Sequence, residues 1–104
     1  MKVKEAVIEN TQKEWQITLS GELDAGNADE FYSVVSQAFM KEPKNVHFIC
    51  TDLQFIDSTV LGSFVKLLKR VRTEGKSMRL SSLPPKIKKL FTICALDRIM
   101  EIDV

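Results

Sequence analysis

The residues most able to do chemistry stand together in residues 55–62, Phe-Ile-Asp-Ser-Thr-Val-Leu-Gly. Asp57, Ser58 and Thr59 lie where an apolar segment meets the predicted start of a helix. Their side-chain oxygens can cap that helix by accepting its free backbone N–H groups. A hydroxyl at this place can also carry a phosphate, because a helix start offers unpaired N–H donors and a positive dipole end. The residue types therefore support two interpretations, a helix cap and a phosphorylation site.

A catalytic site is the weaker interpretation. Ser58 as a nucleophile needs a base, and the only histidine of the chain, His47, lies inside a predicted buried strand and is expected to be a satisfied structural residue. The Gly-x-Ser-x-Gly elbow of many hydrolases is missing from the sequence. Asp24 and Asp57 could pair as acid and base, but carboxylates that follow strands usually cap helices. The sequence therefore predicts that the protein is not an enzyme.

Neither a metal nor a cofactor is expected. Cys50 and Cys94 both lie in apolar runs, which predicts two buried free thiols in a reducing cytosol. Metal-ligand spacing is absent around His47. The chain has four glycines, and none of them forms a glycine-rich turn after a strand, so a dinucleotide site is not expected.

Length and composition predict one globular domain over residues 1–104. The chain is 44% hydrophobic and 28% charged, which excludes a disordered or collagen-like protein. Its apolar runs are shorter than the roughly 18 residues that a membrane span needs. Residues 1–15 lack the apolar core of a signal peptide. We therefore expect a cytoplasmic protein that makes no contact with a membrane.

Basic side chains concentrate in the second half of the sequence. One predicted helix and the strand after it carry Lys66, Lys69, Arg70, Arg72, Lys76 and Arg79. Such a face could bind nucleic acid, but aromatic residues are not interleaved with it. A solvated helix face is the preferred interpretation, and direct binding of nucleic acid is not expected.

Changes of apolar periodicity mark the elements that position these residues. Strands are predicted over residues 2–8, 14–20, 46–50, 77–81 and 98–103, with a hairpin turn over 9–13. A helix from Asn27 to Lys41 opens with the capping-box pair Asn27 and Glu30. A second helix runs from Thr59 to a stop at Gly75. A third follows Pro85, with an apolar face of Ile87, Leu90, Phe91 and Cys94. The segment 51–57 is predicted to be a connector held to the core by Leu53, Phe55 and Ile56.

The predicted order is β-β-α-β-α-β-α-β, which indicates an α/β fold. Strands that alternate with helices need crossover connections, so most of the central mixed sheet should be parallel, with the helices packed on it and the first hairpin at one side. Residues 46–50 should be among its most buried strands. Loops that follow parallel strands gather at the carboxyl ends of those strands. Asp24, Asp57 and Ser58 are therefore expected on one side of the molecule.

Five segments of the sequence resemble the anti-sigma factor antagonists of the STAS-domain family. They are residues 21–24, 55–62, 75–76, 87–91 and 96–99, in the order and spacing of that family. The family pattern around its phosphorylated serine is Asp-Ser-Ser/Thr-Gly-Leu-Gly. The resemblance implies a STAS-like single domain in which Ser58 is phosphorylated, Asp57 is its neighbour and Asp24 is the acidic residue beside the site.

The same resemblance implies a cytoplasmic bacterial regulator without catalytic activity. It would bind an anti-sigma factor of the serine kinase type and release a sigma factor. Phosphorylation of Ser58 would block that binding, and a phosphatase would reverse it. The implied partner-binding residues are Asp24, Asp57, Ser58, Thr59, Val60 and Gly62. A second interpretation stays open, a constitutive STAS scaffold or regulatory subunit of a transporter or stress-signalling complex.

Val60 departs from the family pattern, which has a glycine at this position. Glycine lets another backbone come close, whereas valine adds a branched side chain and stiffens the turn. We therefore expect either less efficient docking of a kinase or an altered partner. Thr59 is expected to use its hydroxyl as a helix cap.

Overall fold

The computed structural model describes residues 4–103. The strands are β1 (Ala6–Asn10), β2 (Glu14–Leu23), β3 (Asn45–Ile56), β4 (Met78–Ser81) and β5 (Glu101–Ile102). The helices are α1 (Ala28–Lys41), α2 (Ser58–Thr73) and α3 (Pro85–Ile93), with a short 3-10 turn at Leu96–Arg98. The predicted order of elements is confirmed, although Val3 of the first predicted strand lies outside the described residues.

One five-stranded sheet has the order β1-β2-β3-β4-β5. β1 and β2 pair antiparallel, and the remaining neighbours pair parallel, which confirms a mixed, mostly parallel sheet with the hairpin at one edge. β3 lies at its centre. Val46, Phe48 and Cys50 are buried while His47 and Ile49 between them are half-buried, so one face of this strand is more covered than the other.

The core joins the three helices to one face of the sheet. Phe31 of α1, Phe48 of β3, Phe64 of α2 and Phe91 of α3 form a chain of tilted and edge-on ring contacts. Their ring centroids lie between 5.2 and 6.0 Å apart, within the range in which aromatic pairs attract. The opposite face of the sheet carries polar side chains. Among the described residues, no helix is long and apolar enough to cross a bilayer.

The segment predicted as a connector, residues 51–57, is instead mostly the second half of β3. Its pairing with β2 slips at two places, and these irregularities change which side chains face the core. Leu53 and Ile56 are buried, as expected. Phe55 is 46% exposed, so the prediction that it packs into the core is wrong.

The capping box predicted at the start of α1 does not form. Asn27 makes no side-chain hydrogen bond to the helix. Its Oδ1 accepts the backbone N–H of Asp24 at 2.8 Å, and its Nδ2 donates to the carbonyl of Glu22 at 3.0 Å. The side chain therefore holds the preceding loop rather than the first turn of the helix.

Gly75 ends α2 as predicted. Its φ of +74° lies in the left-handed region that glycine adopts without strain. Its N–H donates to the carbonyl of Arg72 at 2.9 Å, and the N–H of Lys76 donates to Val71 at 3.1 Å. These bonds satisfy carbonyls that the last helical turn would leave free.

Three expectations about the carboxyl-terminal segment are wrong. α3 buries Ile87 and Phe91, but Leu90 and Cys94 of its predicted apolar face are exposed. The helix already ends at Ile93, and Ala95 turns the chain with a φ of +58°. The predicted strand 98–103 is reduced to Glu101–Ile102, because the 3-10 turn includes Arg98 and pairing with β4 begins only at Glu101.

Candidate functional site

Asp57 joins two parts of the candidate site. As the residue before α2, it has extended backbone, and its Oδ1 accepts the N–H of Val60 at 3.1 Å. Its Oδ2 accepts the N–H of Ala25 at 2.9 Å. The carboxylate therefore caps α2 and fastens the helix start to the loop that follows β2.

The sheet explains why these two loops meet. β2 and β3 run parallel, and Leu23 lies opposite Ile56 at their carboxyl ends. The chain leaves both strands at the same edge, so residues 24–27 begin beside Asp57 and Ser58. The geometry thus brings Asp24, Asp57 and Ser58 to one side of the molecule.

Asp24 organises the loop over residues 24–27. Its carbonyl accepts the N–H groups of Asn27 and Ala28, and its Oδ1 accepts the N–H of Gly26 at 2.8 Å. A Cβ on Gly26 would lie 3.1 Å from that Oδ1, closer than most real contacts, so glycine suits the turn. Ala25 and Gly26 were not predicted as residues of the site, although the string Asp-Ala-Gly-Asn is typical of a turn.

Ser58, Thr59 and Gly62 form the exposed start of α2. Positions 58 and 62 are one helical turn apart and share a face. A Cβ on Gly62 would meet nothing within 4 Å, so the helix presents bare backbone there. The cap comes from Asp57 and not from the hydroxyl of Thr59, which corrects the role expected for Thr59.

Val60 does not face outward. Its side chain is 0% exposed and belongs to the core, while its N–H is held by Asp57. The expectation that its branched side chain obstructs a docking partner is therefore wrong. Of the six residues expected at the partner-binding surface, Val60 is the one whose side chain cannot reach a partner.

Phe55 adds an apolar group close to Ser58 in the sequence. It lies opposite Glu22 of β2 in the sheet register, and nearly half of its surface is exposed. An aromatic ring on the surface beside polar loops is typical of protein-binding sites. Phe55 was expected at the core because residues 51–57 were predicted to be an apolar connector, and the irregular pairing of β3 with β2 leaves no signal in the sequence.

The exposed Ser58 lacks the partners of a catalytic nucleophile. The ring of His47 bonds Glu14 and Ser81 rather than Ser58, as expected for a satisfied histidine. Among residues 4–103, no group of three His, Cys, Asp or Glu side chains could hold a metal ion. The arrangement offers a free hydroxyl at a helix start, which can accept a modifying group or contact a partner.

Part of the basic face of α2 serves contacts within the molecule. Arg70 donates from Nε to the hydroxyl of Tyr32 at 3.3 Å, and the ammonium of Lys66 lies 4.7 Å from the centre of the same ring. Arg72 donates to the carbonyl of Ile99. The expectation of a wholly solvated face is therefore only partly met, because three of its cations tie α2 to α1 and to the carboxyl-terminal segment.

Known proteins share both the sequence pattern and the fold. The family model described as STAS domain matches residues 5–104. The anti-sigma-B factor antagonist of Bacillus subtilis strain 168 is 26% identical over 96 residues, which cover 92% of this chain and 87% of that protein. The protein of the same name from Staphylococcus epidermidis is 27% identical over 89 residues, covering 86% and 82% of the two chains.

Solved structures superpose on this chain over most of its length. A crystal structure of a candidate anti-sigma factor antagonist from Thermotoga maritima superposes with a TM-score of 0.87 at 26% identity, covering 97% of this chain and 88% of that chain. The anti-sigma factor antagonist SpoIIAA in its unphosphorylated form gives a TM-score of 0.83 at 21% identity, covering 95% and 88%. At that identity the second likeness shows the fold alone.

Proposed function

The chain belongs to the STAS-domain family, and on that premise we propose that it is an anti-sigma factor antagonist without catalytic activity. It binds an anti-sigma factor and so releases a sigma factor. The observation that carries this proposal is the exposed Ser58 at the start of α2, beside the loop that Asp57 fastens to it. The similarity to anti-sigma-B factor antagonists over most of both chains supports it.

We infer that the partner docks on the surface formed by the carboxyl ends of β2 and β3 and the first turn of α2. Exposed Ser58, Thr59 and Gly62 give it a flat helix face, and the loop of Asp24 flanks that face. Phe55 offers an exposed ring whose burial would favour binding. We call this set of residues the docking surface.

Phosphorylation of Ser58 switches the docking surface off. A phosphoryl group adds about −1.5 to −2 charges at neutral pH. Within the protein it stands at the positive end of α2, so the fold tolerates it. Across an interface the same group must lose its water, and any acidic residue of the partner repels it. A loss of about 3 kcal/mol would weaken binding more than a hundredfold, since about 1.4 kcal/mol is a factor of ten.

The partner is an anti-sigma factor of the serine kinase type, and a phosphatase restores the unmodified form. Ser58 is the acceptor rather than Thr59, because the family pattern places the phosphorylated serine directly after the aspartate. Both hydroxyls are exposed, so the choice is made by the kinase and not by access. The cytoplasm is the compartment in which such partners meet.

Mass spectrometry after incubation with a serine kinase anti-sigma factor and ATP tests the modification. We expect one phosphoryl group on wild type and on Thr59→Ala, and none on Ser58→Ala. A phosphoryl group that remains on Ser58→Ala, or appears on Thr59 of the wild type, contradicts the assignment. Complete absence of phosphate, together with stable binding, favours the constitutive scaffold.

A charge control separates the switch from a general effect of added charge. Ser77 is exposed and directly precedes β4. The amino end of β4 pairs with the amino end of β3, whereas Ser58 follows the carboxyl end of β3. Ser77 and Ser58 therefore lie at opposite ends of the strands. Ser77→Asp should bind the anti-sigma factor as wild type does, whereas Ser58→Asp should not. Equal weakening by both substitutions contradicts a local switch.

A further inference from the structure

A second cluster of reactive side chains lies on the polar face of the sheet, away from the docking surface. His47 of β3 stands between Glu14 of β2 and Ser81 of β4. Its Nε2 lies 2.6 Å from Ser81 Oγ, and its Nδ1 lies 3.3 Å from Glu14 Oε2. A carboxylate, an imidazole and a hydroxyl in this order are the parts of a nucleophile activated by a general base.

The charges around Glu14 favour one assignment of roles to the two ring nitrogens of His47. Partial burial works to raise the pKa of Glu14, but hydrogen bonds with Gln16 and His47 and the charge of Arg79 hold it below its ordinary value. Glu14 is therefore an acceptor, which favours the neutral tautomer of His47 with its proton on Nδ1. In that tautomer Nε2 accepts the hydroxyl proton of Ser81.

We propose that Ser81 is a nucleophile, activated by His47, that takes an acyl group from a small activated ester. Ser81 Oγ attacks the carbonyl carbon of the ester while Nε2 of His47 takes the hydroxyl proton. The bond from that carbon to the leaving alcohol then breaks, and the alcohol departs with the proton from His47. The products are an ester on Ser81 and the free alcohol, with His47 neutral again. Glu14 is a positioning residue, since it orients the ring.

The surroundings favour a single acylation over rapid turnover. An open hollow of about 490 Å³, lined by residues 11–14, Gln16 and Arg79, borders the Glu14 side of the cluster and has room for a small donor. Arg79 on this face is paired with the carboxylates of Glu14 and Asp103. The backbone amides of β3 and β4 are engaged in their parallel ladder and are not free to form an oxyanion hole. Formation and hydrolysis of the ester therefore both proceed without an oxyanion hole, so the acyl group should form slowly with an activated donor and then leave Ser81 slowly.

Acetylation of the full chain by p-nitrophenyl acetate, followed by peptide mapping, tests the proposal. We expect an acetyl group on Ser81 of the wild type and a rate at least tenfold lower in His47→Gln, whose amide can still hydrogen-bond but is not a base. Ser20→Ala, which alters another serine of this sheet face, should leave the rate on Ser81 unchanged. An unmodified Ser81 in the folded wild type, or an unchanged rate in His47→Gln, overturns the proposal.

Two further measurements keep the test independent of how the His47 variant folds. Unfolding the wild type in urea should slow acetylation of Ser81, because the base is lost. An ordinary serine would react as fast or faster once exposed, and that result overturns the proposal. Glu14→Gln should slow the reaction, and Glu14→Asp should restore part of the rate. A role of Glu14 in folding alone would not produce this recovery, and its absence contradicts the positioning role.

Discussion

Asp57 is the residue on which the geometry of the docking surface depends most. One of its carboxylate oxygens caps α2, and the other holds the loop of Asp24 through the N–H of Ala25. The role of Asp57 as a helix cap can be predicted from the sequence. Its second contact joins residues 32 positions apart, so no local sequence pattern reveals it. Long-range contacts of this kind are set by the pairing of β2 with β3.

Removal of the Asp57 carboxylate should cost stability as a lost helix cap does. We expect Asp57→Ala to lower the free energy of unfolding by about 1 to 2 kcal/mol, measured by urea denaturation. Asp57→Asn keeps one acceptor oxygen and should lose less. Equal losses in the two variants contradict the assignment of the cap to the side-chain oxygen.

Val60 is now expected to act through the core rather than through docking. Its side chain is fully buried, so Val60→Ala should lower the free energy of unfolding by about 2 to 3 kcal/mol. Phosphorylation of Ser58 should proceed at an unchanged rate in the fraction that remains folded. A stable Val60→Ala protein that is phosphorylated faster would contradict the buried position.

The two thiols should differ in reactivity. Burial raises the pKa of Cys50 to about 12, so its reactive thiolate is scarce, whereas Cys94 is exposed at the end of α3. A bulky thiol reagent should modify one site quickly in the folded protein, and Cys94→Ser should abolish this fast phase. Rapid modification of Cys50 in Cys94→Ser would show that β3 is less covered than described.

The elements show where sequence periodicity is informative. The alternation in β2 and the helical spacing in α1 and α2 reflect one buried face, so the order of elements and the parallel sheet could be predicted. The bulges in β3 interrupt that alternation and turn Phe55 outward, which a pattern of apolar residues cannot reveal. The end of α3 at Ile93 likewise leaves Cys94 outside the helix and exposed, because chain direction after Ile93 is set by a turn and not by hydrophobicity.

The hydrogen-bonded network of Glu14, His47 and Ser81, which joins β2, β3 and β4, makes the stability of the fold depend on pH. The pKa of Glu14 is lowered in the folded protein, so this residue stabilises the fold above its unfolded pKa and loses that effect as the pH falls. Between roughly pH 5 and pH 3, wild type should lose more unfolding free energy than Glu14→Gln. Thermal denaturation across this range measures the difference, and parallel curves for the two proteins would contradict the lowered pKa.

At the scale of the whole molecule, the core and the docking surface are separate. The four phenylalanines that join α1, α2 and α3 to the sheet are fully buried. Ser58, by contrast, is exposed at the carboxyl end of the central strand β3. We therefore expect a change of charge at Ser58 to alter what the docking surface binds without altering the contacts that stabilise the fold. The resemblance to a regulatory family could be recognised from sequence because its five segments keep their order and spacing along the chain.

The affinity of Ser58→Asp for a serine kinase anti-sigma factor, measured by calorimetry beside wild type, tests the switch most directly. We expect a melting temperature close to that of wild type, because a carboxylate in the first turn of α2 is favourable. We also expect binding weakened more than a hundredfold, with Ser58→Ala binding as wild type does. Equal affinities of wild type and Ser58→Asp would contradict the switch at Ser58.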